Sequence, residues 1–316
     1  MSMKKLFSLQ ALALFLLAIL LFSFSSPSKK DKAPAKKIFI SSFMTMHDPF
    51  FVSLNEGITK AVIAHGDSLV FLDGNHDTKK QEDDVLAMLD QKIAGIFILP
   101  ATHDGCIDRV LAAAKQKKIP VIIVDTDFNV ADSMYLCKVV TDNPGAGKMS
   151  CDVLAKVNPK AKIGMLTFSL SKGCVDRVNG FKEEMAKYPG MSIIGSQDGH
   201  ANKDGVNGVI REFLAKTPDM DAIFAINDVS ALAAIEGIEK AGKSGKIVVM
   251  GVAGSKEGAQ AIKDGKMLSS CAQEPQTMGK VAVEKAYDFI SGEPVEKNVY
   301  VPVKLVTKEN ADEYLK

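Results

Sequence analysis

IFISSFMTMHDPFFVSLNEGITKAVIAHGDSLVFL, residues 38–72, decides the fold. Residues 38–43 and 68–72 are short apolar runs rich in Ile, Val and Phe, each followed by a polar turn, and such runs form buried strands. Between them, residues 52–65 carry apolar side chains at three- and four-residue spacing, which predicts a helix with one apolar face. Strand, helix and second strand make one βαβ unit, whose crossover is right-handed.

The rhythm continues outward with strands at 95–99 and 121–125 and helices at 79–91 and 105–118. It restarts with strands at 163–168, 192–196, 222–226 and 247–251, and helices at 175–187, 204–215 and 230–241. The expected class is therefore α/β: two doubly wound three-layer αβα lobes built on parallel sheets. Ligands of such sheets sit beyond the carboxyl ends of the strands.

Composition agrees. The chain has 316 residues, 47% hydrophobic and 24% charged, enough for two cored domains. A formal charge of +1 without long like-charged runs argues against a nucleic-acid partner. At the N-terminus, Lys4 and Lys5 precede the apolar stretch 11–22, and Ser23, Phe24 and Ser25 follow in a small-x-small pattern. Residues 1–25 are thus expected to be a cleaved signal peptide, the stretch being shorter than the roughly 20 residues of a membrane span; an uncleaved anchor is the alternative. No cysteine lies near that point, so no lipoprotein is expected, and residues 26–36, rich in Pro, Ser and Lys, read as a disordered lead-in.

Several local patterns bear on chemistry. Cys106, Cys137, Cys151, Cys174 and Cys271 are odd in number and lack a C-x-x-C pair, which suits buried free thiols, with a single disulfide left open. Residues 237–244 satisfy G-x-x-x-x-G-K-[ST], but the match ends a helix and leads into a strand, the reverse of a phosphate loop, so Gly242 is expected to terminate the helix. Gly145, Ala146 and Gly147 open a helix without the third small residue of a dinucleotide fingerprint. His47-Asp48, His76-Asp77 and His103-Asp104 each follow a strand; turn chemistry with Asp capping the next helix outweighs a metal site. No catalytic constellation is legible, and neither an enzyme nor a cofactor or metal is expected.

An ordered series of residues then carries a resemblance. Asp48-Pro49-Phe50-Phe51-Val52-Ser53-Leu54, Val124-Asp125, Thr141-Asp142-Asn143, Arg177-Val178-Asn179-Gly180-Phe181, Phe224-Ala225-Ile226-Asn227-Asp228 and Cys271-Ala272-Gln273 together resemble the ribose-type periplasmic sugar-binding proteins, the solute receptors of bacterial sugar ABC transporters. The likeness covers essentially all of the chain after the leader. It implies a periplasmic binding protein of type 1, with lobes joined by three crossings near Thr141-Asp142, Ala272-Gln273 and Tyr300-Val301. The N-terminal lobe would then be 37–141 with 274–300, and the C-terminal lobe 142–273 with 301–316.

By the same resemblance, Phe50 and Phe51 would pack on a sugar ring, and Asp48, Asp125, Arg177, Asn227 and Gln273 would bond its hydroxyls. Taken singly, the two rings also suit core packing, Asp125 and Asn227 turn capping, Arg177 an ion pair with Glu183 or Glu184, and Gln273 hinge packing. The implied function is capture of a small sugar-like ligand (sugar, deoxysugar, polyol or modified furanose) by hinge closure and delivery to an ABC transporter membrane permease. The implied protein is a periplasmic monomer; ligand presentation to a chemoreceptor or histidine kinase is the alternative. The pattern is broken at four places: Thr126 and Val252-Ala253 replace an Arg and a Phe-Asp pair, Pro100 an Asn, and 199–201 lack an aromatic. Weak binding of ribose itself is therefore expected.

Overall fold

The computed structural model describes residues 35–47, 49–100, 107–126 and 130–315, and residues 37–316 form one compact unit. The leader, Asp48, and the His103-Asp104 pair with Cys106 lie outside the described residues.

Two six-stranded sheets organise the chain. The first comprises β1 (Ile38–Phe43), β2 (Ser68–Asp73), β3 (Ile93–Leu99), β4 (Val121–Val124), β5 (Cys137–Thr141) and β11 (Asn298–Val301), in the order β2-β1-β3-β4-β5-β11, all parallel. The second comprises β6 (Lys162–Thr167), β7 (Ser192–Asp198), β8 (Ala222–Ala225), β9 (Val248–Ala253), β10 (Ser269–Ala272) and β12 (Lys304–Val306), in the order β7-β6-β8-β9-β10-β12. Only β12 runs antiparallel there. Both sheets share one doubly wound order, with switch points between β1 and β3 and between β6 and β8.

Helices cover both faces. They are α1 (Pro49–Ala64), α2 (Thr78–Met88), α3 (Asp108–Lys117), α4 (Asn143–Val157), α5 (Lys172–Met185), α6 (Lys203–Lys216), α7 (Asp228–Lys240), α8 (Lys256–Lys263) and α9 (Pro275–Ser291). Pro49 is the first residue of α1, where its missing N–H costs nothing, so the helix begins three residues before its apolar periodicity. The first sheet is sandwiched between one apolar cluster around Phe39, Phe43, Leu54, Ile58 and Phe97 and another around Ile40, Ile96, Leu111 and Ile123. The second has the matching pair, around Phe181 and Phe224 and around Ile210, Phe213 and Ile223.

Helix pairs in both lobes approach closely through glycines. A Cβ on Gly147 of α4 would stand 1.9 Å from the Arg177 carbonyl oxygen of α5, and one on Gly180 would stand 2.1 Å from that of Pro144. Gly57 of α1 and Gly279 of α9 meet in the same way, 2.4 Å from the Gln276 oxygen and 2.5 Å from that of Leu54. The Gly145-Ala146-Gly147 run thus serves helix packing. Gly242 has φ +66°; its N–H bonds to Glu239 O at 3.0 Å while Lys243 N–H bonds to Ile238 O at 3.0 Å, the paired bonds of a Schellman stop. The 237–244 match therefore ends α7, as its sequence order implied.

The chain passes between sheets three times: from β5 into α4 after Thr141, from β10 into α9 after Ala272, and from β11 into β12 after Val301. The lobes are thus discontinuous in sequence, and the strand ends of both sheets face a common cleft.

Candidate functional site

The cleft holds about 1370 Å³, more than the roughly 300–1,000 Å³ of formed small-molecule pockets. Phe50, Phe51, Asp125, Arg177, Asn227 and Gln273 all line it. So do Pro100, Thr126 and Ala253, three of the positions where the family pattern is broken.

On the first lobe, Phe50 and Phe51 open α1 at the switch point, edge to face with centroids 5.8 Å apart. Both rings are half-buried and rest on the lobe's core, so they pack and line the cleft at once. Asp125 follows β4 with φ +65°, a conformation Asp tolerates better than most residues, and its N–H bonds to Val139 O at 2.9 Å. That left-handed turn ends the strand one residue before the periodicity does.

The second lobe's wall is a hydrogen-bonded frame. Arg177 leaves only 8% of its surface exposed; its Nε donates to Asn143 Oδ1 at 2.8 Å and its Nη1 to the Ile226 carbonyl at 2.6 Å. Burial lowers its pKa from the usual guanidinium range, against which the charges of Asp125 and Asp228 work. The ion pair with Glu183 or Glu184 does not form: Glu183 pairs with Lys148 at 3.1 Å and Glu184 with Lys187. Residue spacing on one helix suggested those partners, but Arg177 points across to α4 and the end of β8.

Asn227 caps α7, its Oδ1 accepting from Ser230 N–H at 2.8 Å while its Nδ2 donates to the Ala201 carbonyl at 2.9 Å. Gln273 Nε2 donates to Thr141 Oγ1 at 3.0 Å, tying the first two crossings together. Both amides therefore carry a structural bond besides facing the cleft.

Two residues of this frame were not singled out from the sequence. Asn143 orients Arg177 from the first turn of α4, and Asp228, only 1% exposed, anchors three elements. Asp228 Oδ1 accepts from Ser270 Oγ at 2.6 Å, and its Oδ2 accepts from Ser255 N–H at 2.8 Å and Ser255 Oγ at 2.9 Å. Burial raises the Asp228 pKa above the ordinary carboxylate value, opposed by those bonds. Both residues stand inside the quoted motifs, but their partners are remote in sequence.

The remaining patterns resolve locally. Asp77 caps α2 by accepting from Lys80 N–H at 2.9 Å, the turn chemistry expected of it, and His47 is exposed. Cys137, Cys151, Cys174 and Cys271 are buried free thiols. Burial pushes the first two up to about 12 and Cys271 to about 11, so they are poor nucleophiles.

Comparison with known proteins agrees with this geometry. Residues 39–294 match the periplasmic binding protein domain. The ribose import binding protein RbsB of Bacillus subtilis is 31% identical over 97% of this chain and 100% of its own length. The corresponding protein of Haemophilus influenzae is 30% identical, again over 97% and 100%. Among solved structures, the binding component of the arabinose ABC transporter from Shewanella sp. ANA-3, bound to L-arabinofuranose, superposes with a TM-score of 0.76 at 25% identity, covering 88% of this chain and 94% of that one. Two doubly wound lobes, an interlobe cleft at their strand ends and this likeness along nearly the whole chain place the protein in the periplasmic binding protein family.

Proposed function

We propose that the chain is an extracytoplasmic solute-binding protein that captures a small sugar-like molecule in its interlobe cleft and hands it to the membrane permease of an ABC transporter. One observation carries this reading: six residues scattered from Phe50 to Gln273 line a single cleft at the carboxyl ends of both sheets. Relatives that import ribose, and a fold neighbour holding arabinofuranose, support it.

Binding proceeds by closure. A ligand touching both walls is held better by the closed form than by the open one, and that difference in affinity drives the lobes together. Phe50 and Phe51 cover the apolar C–H face; Asp48 and Asp125 accept from hydroxyls on the first-lobe side; Arg177 donates from the second; Asn227 and Gln273 add contacts where hinge and wall meet. Lobe division is at residues 141 and 273 and near 301, with export directed by residues 1–25 and work as a monomer in the periplasm. Capture involves no turnover of the ligand.

Ribose is a poor occupant, since Thr126 and Ala253 remove a donor fork and a carboxylate from the wall. Titration calorimetry should detect no sub-micromolar ribose binding. The direct test is mass spectrometry of small molecules released on denaturing the purified protein, followed by a thermal-shift titration with what is recovered. A sugar or polyol that raises the melting temperature supports the proposal; a nucleoside or peptide, or no shift with any sugar, overturns it.

A further inference from the structure

The hydrogen bonds of the second lobe's wall narrow the ligand further, given the solute-receptor reading above. Several of its side-chain acceptor atoms are already engaged. Both Asp228 oxygens are held by Ser255 and Ser270, Asn227 Oδ1 by Ser230 N–H, Asp142 Oδ1 by Gly145 N–H at 2.9 Å, and Asp176 by Lys172 at 2.6 Å. Glu257 is exposed at the rim, and Ala253 leaves no carboxylate at the end of β9.

Donors, in contrast, are to spare. Arg177 uses its Nε and Nη1 on neutral oxygens, and among the described residues its Nη2 makes no hydrogen bond and its guanidinium no ion pair. Asn143 gives its Oδ1 to Arg177, while its Nδ2 donates to nothing among the described residues. Both residues line the cleft, each 8% exposed.

A hydroxyl facing this wall would accept from Arg177 but still need somewhere to send its own proton. A carboxylate only accepts, and its two oxygens suit a guanidinium edge and a neighbouring amide; it also adds a directly bonded counter-charge, where Asp125 and Asp228 act on the guanidinium only at a distance. We infer that the ligand is a sugar acid, an aldonate or uronate, whose carboxylate meets Arg177 and Asn143 while its hydroxyls and C–H face meet Asp125, Phe50 and Phe51 on the opposite wall.

The test is titration calorimetry of the wild-type protein with matched pairs: D-ribonate and D-ribose, L-arabinonate and L-arabinose, D-galacturonate and D-galactose, D-glucuronate and D-glucose. The expected result is that the tightest binder is an acid, at least tenfold tighter than its neutral partner. Arg177→Gln should erase that preference, and Asn143→Asp, which puts a like charge beside the carboxylate, should weaken the acid more than the neutral sugar. A neutral sugar binding as tightly as or better than its acid overturns the inference and leaves the receptor reading intact. Binding of none of the eight also overturns the inference, and the recovered-ligand mass spectrometry then decides the receptor reading separately.

Discussion

The two walls of the cleft share a topology and differ in chemistry. Each is the carboxyl edge of a sheet with the same strand order, so each sheet delivers its loops to the same place. On the first lobe rings and aliphatic side chains, Met44, Phe50, Phe51, Leu99 and Pro100, share the described lining with Asp125, Ser53, Thr126, Lys138 and Thr141. On the second it is a polar frame in which Arg177, Asn143, Asn227 and Asp228 bind one another's neighbours. A wall of rings tolerates many ligands with an apolar face, because stacking depends little on substitution. A wall of desolvated, pre-oriented donors discriminates, since each unmatched group costs its full desolvation. Under the proposed function, the shared topology sets where the ligand sits and the second lobe's donors set which ligand is kept.

That contrast predicts unequal responses to mutation. The largest is expected for Arg177→Leu, which orphans Asn143 Oδ1 and the Ile226 carbonyl as well as removing the cation. Affinity for the recovered ligand should fall at least 100-fold, about 3 kcal/mol, and the melting temperature should drop too. Binding within twofold of wild type by calorimetry would contradict the polar-wall account. Next, Gly147→Ala in the second lobe and Gly57→Ala in the first should each cost about 1–3 kcal/mol of stability by forcing packed helices apart. Thermal melts should show both losses, because this device is common to the lobes even though the walls are not.

Smaller effects are expected from the rings. Phe50→Ala and Phe51→Ala should each weaken binding by about 1 kcal/mol, by similar factors for different sugars, whereas Arg177 variants should change the order of preference. A ring variant that reorders the panel would break the comparison. Smallest is Gln273→Ala: losing the bond to Thr141 should change affinity only about threefold, with the effect in the ligand's on-rate and off-rate through hinge freedom. Stopped-flow binding checks it.

Much of the fold was legible because its signals are local. Residues 38–72 carry strand, helix and strand in plain periodicity; there the structure starts the helix three residues early at Pro49, ends it at Ala64 and carries the second strand on to Asp73. The last sixth of the chain was read less well. β12 has three residues and β11 alternates exposed with half-buried ones before Val301, so neither contains enough period to read. In the site, strand-end residues stood out by position and by likeness. The state of Asp228 did not, because its partners Ser255 and Ser270 lie 27 and 42 residues away, and only the pairing of β9 and β10 brings them together. The cap that Asn227 makes on Ser230 was legible as turn capping, but its bond to Ala201 and that of Gln273 to Thr141 were not, their partners lying 26 and 132 residues away.

The central claim is capture by closure of two unlike walls on one ligand, and small-angle X-ray scattering with and without saturating recovered ligand tests it most directly. The radius of gyration should fall on binding in the wild type and remain at its unliganded value in Arg177→Leu at the same ligand concentration. Saturated binding with an unchanged radius of gyration in the wild type would contradict the account.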